Sequence, residues 1–135
     1  MRIFSSLFLT TFVATLFAQN INVSHRSTLV YTGKTLANVW GYADGGNEYA
    51  LVGTSAGFSI VDVTNPDDPD EIIHISGPNS IWREIKTYQH YAYVVTEGGG
   101  GLQIVDLTNL PGTNLTWHNY TGNGIIAGQL SNIHA

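Results

Sequence analysis

The sequence predicts an all-β fold made of β-propeller blades, each a sheet of four antiparallel strands. Three observations predict it. The stretch from Glu48 to Pro66 returns between His90 and Pro111, with Tyr49 and Tyr91 42 residues apart and Asp62 and Asp106 44 apart. Apolar and polar residues alternate within short segments, as in Phe58-Ser59-Ile60-Val61, which is strand and not helix periodicity. A shared ending, Tyr31-Thr32-Gly33, Ile75-Ser76-Gly77 and Tyr120-Thr121-Gly122, recurs at spacings of 44 and 45 residues. A period in the low forties with four short strands per unit is the pattern of propeller blades.

The elements follow in order. Residues 1–18 read as a secretory signal peptide: Arg2 gives a positive start, Ile3 to Phe17 is apolar apart from Ser and Thr, and Ala18 offers a small residue for cleavage. That stretch is shorter than the ~20 residues a spanning helix needs, so no membrane span is expected after its removal. Residues 19–35 form an N-terminal segment with a stray outer strand at Ser27 to Thr32, suited to closing a ring. Blade one takes residues 36–78. Its strands are expected at Leu36 to Tyr42, Glu48 to Thr54, Phe58 to Thr64 and Glu71 to Ser76. Asp44-Gly45-Gly46-Asn47 and Ser55-Ala56-Gly57 supply the turns. Pro66 and Pro69 stop the third strand, because proline lacks the N–H a ladder needs. Blade two takes residues 79–128, with strands at Ser80 to Lys86, Tyr91 to Thr96, Leu102 to Thr108 and Leu115 to Thr121. Residues 129–135 read as the start of a third blade. Two blades with stray strands cannot close a ring, so the sequence is expected to be the N-terminal fragment of a longer reading frame, with an apolar face open on each end blade.

Composition narrows the function. The chain has no cysteine, which excludes disulfides and thiolate chemistry, and its formal charge is −5. Without residues 1–18 four basic side chains face ten carboxylates, a balance of about −6 that phosphate backbones would repel, so nucleic acid is not an expected partner. An exported chain without cysteine fits a bacterial source.

At Ile60-Val61-Asp62-Val63-Thr64-Asn65-Pro66 and Ile104-Val105-Asp106-Leu107-Thr108-Asn109-Leu110-Pro111 the chain resembles the LVIVD-repeat proteins. Asn38-Val39-Trp40-Gly41-Tyr42, Ser80 to Lys86 and Glu97 to Ile104 narrow the resemblance to the choice-of-anchor B family. The resemblance implies a β-propeller that is secreted or held at the cell surface by a variable C-terminal segment. It implies no common activity.

Candidate residues are those that break the repeat, because scaffold demands are shared between blades and site demands are not. Asp62 and Asp106 recur and are read as turn devices whose carboxylates accept backbone N–H groups. The run Asp67, Asp68, Asp70 and Glu71 has no counterpart in the second unit and reads as a solvated acidic loop. Trp40 and Trp82, 42 residues apart, are placed at matching blade starts, as packing wedges or as stacking surfaces for a flat ligand or sugar. Arg83, Glu84, Glu97 and His134 do not repeat, and Glu97 precedes Gly98-Gly99-Gly100-Gly101, which permit close backbone approach. Trp82, Arg83, Glu84, Glu97 and His134 are therefore the candidate ligand-binding residues. The five histidines lack close metal-ligand spacing, and no Ser-His-Asp set is recognisable. No metal, cofactor or catalytic residue is assigned. The expected function is an exported or surface-attached binding module for an extracellular protein or carbohydrate. The alternative is a hydrolase or lyase acting on extracellular polysaccharide, with most of its site in other blades.

Overall fold

The computed structural model describes residues 23–134. The signal peptide expected over residues 1–18 lies outside them. Two four-stranded antiparallel sheets follow one another along the chain, each a meander in which neighbours in sequence are neighbours in space. The first sheet holds β1 (Leu36–Asp44), β2 (Asn47–Thr54), β3 (Gly57–Asp62) and β4 (Asp70–Ser76). The second holds β5 (Arg83–Tyr88), β6 (Tyr91–Thr96), β7 (Leu102–Asp106) and β8 (Thr116–Tyr120). These are two propeller blades of an unclosed ring. Among the described residues the only helical element is one 3-10 turn, Gly124–Ile126, and no helix is long and apolar enough to cross a membrane.

The alternation of each strand decides what it buries. Tyr49, Leu51, Phe58, Ile60 and Ile75 lie on one face of the first sheet. They pack with Ile85, Ala92, Val94 and Val105 of the second, and with Leu107 and Leu115, into one core. The seam between the sheets is also polar at the inner strands. Asn38 Nδ2 donates to Glu84 Oε2 at 2.9 Å and Trp40 Nε1 donates to Thr87 Oγ1 at 2.9 Å. The Lys86 ammonium stands 4.0 Å from the Trp40 ring centre, a cation–π contact.

Asp62 Oδ1 accepts from Thr64 N and Asp106 Oδ1 from Thr108 N, both at 2.9 Å. The two repeat cores thus end in the same carboxylate-held turn. Hydrogen bonds from the Thr108 hydroxyl and N–H hold the Asp106 carboxyl below its ordinary pKa.

Strand register corrects the pairing of the two tryptophans. Trp40 opposes Leu51, whereas in the second sheet the residue opposite Tyr93, which corresponds to Leu51, is Lys86. Trp40 therefore corresponds to Lys86, and Trp82 lies before β5 begins. An irregularity between Leu36 and Val39 shifts the count in β1.

Residues 27–32, expected as an outer strand, have no strand structure. They still cross the outer part of the first sheet's open face. Arg26 grips Asp67 through two bonds, with Nε 2.7 Å from Oδ1, and Ser27 Oγ donates to Pro66 O at 2.7 Å. Tyr31 approaches Ser59 and Glu71, and burial raises its hydroxyl pKa. That hydroxyl makes no hydrogen bond of good geometry. Residues 131–134, expected to open a further blade, are likewise irregular, but Gly101 N donates to Ser131 O at 2.9 Å and Ile133 N donates to Thr96 O at 3.1 Å.

Candidate functional site

The residues singled out by sequence meet in one place. Trp82, Arg83, Glu84, Glu97 and His134 line a single niche, together with Val95 and Ile133. Three elements bring them there: the approach to β5, the β6–β7 hairpin, and the segment after the 3-10 turn. Thr96 Oγ1 fixes the middle of it, donating to Trp82 O at 2.9 Å and accepting from Gly98 N at 3.1 Å.

Within the niche the residues divide by their attachments. Arg83 is 2% exposed. Its Nε donates to Thr54 O at 3.1 Å and its Nη2 to Pro78 O at 2.6 Å, so the guanidinium is committed to backbone of the first sheet and of the connection. Burial lowers its pKa, yet an arginine keeps its proton in such a place. Glu84 is engaged by Asn38 across the seam. Glu97 Oε1 and His134 Nδ1 stand 2.5 Å apart at a solvent-exposed rim. Trp82 is 59% exposed. Ser80 pins its backbone from both sides, accepting from Trp82 N at 3.0 Å and donating to Trp82 O at 2.9 Å.

The niche holds about 10 Å³, room for roughly one water molecule. A larger ligand would meet the rim, where a flat indole face stands beside a carboxylate and an imidazole. The glycine run serves chain packing. A Cβ at Gly98 would stand 2.6 Å from Asn79 O, and one at Gly101, whose φ is +73°, 2.4 Å from Tyr120 O.

A second polar cluster escaped the sequence reading. Ser59 Oγ donates to Glu71 Oε1 at 2.7 Å and lies 3.0 Å from His74 Nδ1. With its proton directed at Glu71, Ser59 accepts from His74. Glu71 and His74 are three apart, so a regular strand would place them on opposite faces. Register slips between the Ile60–Ile73 and Val61–Glu71 pairs, and the extra residue Ile72 returns Glu71 to the face of His74. Burial lowers the His74 pKa, and Lys34 adds to this. The arrangement is not that of a nucleophile and its base, because the serine sits between acid and histidine and gives its proton to the acid.

At the other end an open depression of about 410 Å³ is lined by Asn47, Asp62, Thr64, Asn65, Asp68, Asp70, Ile72 and Pro111. Among the described residues no group of three or more His, Asp or Glu is placed to hold a metal ion.

The LVIVD repeat family matches residues 45–77 and 82–117, just over half of the chain and once in each sheet. The chain belongs to the LVIVD-repeat family. In this LVIVD-repeat chain the first match spans the second, third and fourth strands of its blade, and the second spans the first three strands of its blade and ends within the fourth. No curated protein and no solved structure matches the chain.

Proposed function

We propose that this LVIVD-repeat chain is an exported or surface-attached binding module of the choice-of-anchor B kind, and that it takes an extracellular carbohydrate at the rim made by Trp82, Glu97 and His134. The observation that carries the reading is the exposed Trp82 indole standing over the same niche as the Glu97–His134 pair. Sugars are bound by stacking their apolar face on an indole while carboxylates accept from their hydroxyls. Arg83 and Glu84 are positioning residues in this reading, since both are held by the neighbouring blade.

An extracellular protein partner is the other binding outcome, and the same surface would serve it. A hydrolase is less well supported. Glycoside hydrolysis uses two carboxylates facing the scissile bond, and here Glu84 is tied to Asn38 and Glu97 to His134. The test is a glycan array and a pull-down from cell-surface material with the whole chain, each repeated with Trp82→Ala. Glycan binding that Trp82→Ala weakens supports the proposal. Blank results in both assays would overturn it, and protein capture alone would replace the sugar by a protein partner. Fractionation of expressing cells tests export, with the chain expected outside the cytoplasm.

A further inference from the structure

The two repeats differ in how far their first hairpins reach. β1 and β2 stay paired beyond Tyr42 and Tyr49, through Ala43 with Glu48 and Asp44 with Asn47. In the second sheet the equivalent pair, Tyr88 with Tyr91, is the last, and Gln89 and His90 turn the chain back at once. Two further pairs carry the first hairpin about 7 Å beyond the second at the rise of a strand. The long hairpin overhangs the short turn. Between them lies a depression of about 550 Å³, lined by Tyr42, Ala43, Asp44, Gln89, His90 and Thr108. Its walls are the facing sides of the two sheets and not their outer faces. It lies where β5 ends and β6 begins, at the opposite end of these strands from the Trp82 niche.

Both walls are held in place. Gln89 has φ +53° and is the only non-glycine residue with a left-handed φ among the described residues. Glycine would meet that backbone without strain. A glutamine there brings an amide to the depression instead, and strained positions of this kind concentrate at binding sites. The turn is clamped as well, since Leu107 N donates to His90 O at 2.8 Å. The His90 ring packs on Tyr91 with centres 4.2 Å apart. On the facing wall Tyr42 is backed by the buried ring of Tyr49, with centres 6.1 Å apart and 27° between their planes.

The chemistry of the walls selects the ligand. Trp40, Tyr42 and Asp44 alternate along β1 and so share the face turned to the second sheet. This row already receives one ammonium group, because Lys86 Nζ stands 4.0 Å from the Trp40 ring centre. Tyr42 and Asp44 continue the row with an aromatic ring and then a carboxylate, which enters no ion pair among the described residues. Gln89 and Thr108 add an amide and a hydroxyl oxygen, so an ammonium would find an acceptor for each of its three N–H groups. No lysine or arginine lines the depression. Burial, with Asp44, Tyr49 and Asp106, raises the phenol pKa of Tyr42, as expected of a place that repels anions. We infer that the depression between Asp44 and His90 binds a primary ammonium group, as carried by a lysine side chain or a free alkylamine, against the Tyr42 ring and within reach of Asp44, Gln89 and Thr108. The site is separate from the sugar-binding rim and does not rest on it.

NMR titration of the whole chain tests this with three probes. n-Butylamine and Nα-acetyl-lysine methylamide carry the ammonium, and Nα-acetyl-norleucine methylamide lacks it. The first two should shift the Gln89 and His90 backbone amides saturably, and the third should not. The tighter of the two amines identifies the source as a free amine or a lysine side chain. Asp44→Asn should weaken binding roughly 1.5- to 5-fold, and Tyr42→Leu about 2- to 5-fold. Tyr42→Phe keeps the ring and should bind like the unaltered chain. Circular dichroism confirms that each variant keeps its sheet. The inference is overturned if neither amine gives a saturable shift at Gln89 and His90, or if the norleucine probe shifts them equally. Shifts confined to the loop from Asp67 to Asp70 overturn it too, as do folded Asp44→Asn and Tyr42→Leu variants that bind unchanged.

Discussion

Arg83, the first residue of β5, donates from Nε to the carbonyl of Thr54, the last residue of β2, at 3.1 Å, and so fastens the second sheet onto the first. Its Nη2 holds Pro78 O in the connection between them. Replacing it with Met removes the donors while keeping much of the stem. Buried carbonyls left without partners cost about 1–3 kcal/mol each. Arg83→Met is expected to lower stability by roughly 2–4 kcal/mol, measured by urea unfolding. Arg83→Lys should recover only part of this, because an ammonium cannot reproduce the fork.

The turn glycines separate strain from crowding. Gly45 has φ +58° with open space around it, whereas Gly101 has φ +73° and no room for a Cβ beside Tyr120 O. Gly45→Ala should cost about 1–2 kcal/mol for the left-handed backbone alone. Gly101→Ala should cost more than Gly45→Ala, since the β7–β8 edge must shift as well. Thermal melts of the two variants side by side check the order.

Trp82 offers a separation of function from stability. With 59% of it exposed, Trp82→Ala should change unfolding free energy by no more than about 0.5 kcal/mol. The same variant should lose roughly 2- to 13-fold in affinity for the glycan found on the array, since stacking on an aromatic ring contributes about 0.5–1.5 kcal/mol. Glu97→Gln should weaken binding without changing the melt.

Stability should fall on mild acidification. The folded His74 pKa lies below its ordinary 6.5 because of burial, with Lys34 and Arg83 opposing the charge and Glu71 favouring it. The unfolded chain therefore takes up the proton first, so stability is full above about pH 6.5 and declines as the pH drops toward the folded value. Asp106, held low by Thr108, keeps its contribution above the ordinary carboxylate range and loses it as the pH falls through that range to its lowered folded value. Melting temperatures between pH 8 and 5 should show the decline, and His74→Gln should flatten it.

The blades were legible because alternation and turn chemistry act locally. Tyr91–Thr96 is found where the sequence predicts it, and Asp62 and Asp106 hold the turns assigned to them. What stayed hidden depended on register. Trp40 and Trp82 match by count in the sequence, but the slip between Leu36 and Val39 makes Lys86 the counterpart of Trp40. The extra residue Ile72 brings Glu71 beside His74 and Ser59, and nothing in a pattern of alternating residues marks it. Arg83, Glu84, Glu97 and His134 stand out by their failure to repeat, and Trp82 as an aromatic placed at a blade start. That criterion could not foresee that Arg83 and Glu84 would be engaged by the neighbouring blade.

The central claim is that the two repeats are equivalent sheets packed on one another through their inner strands, and the Trp40 indole reports on it most directly. Its Nε1–H crosses the seam to Thr87 Oγ1, while Trp82 and Trp117 are 59% and 48% exposed. In an NMR experiment on the whole chain, the Trp40 indole proton should be the slowest of the three to exchange with deuterium and should show a cross-peak to the Thr87 side chain. A Trp40 indole that exchanges as fast as the other two, with cross-peaks only to its own sheet, would contradict the packing described.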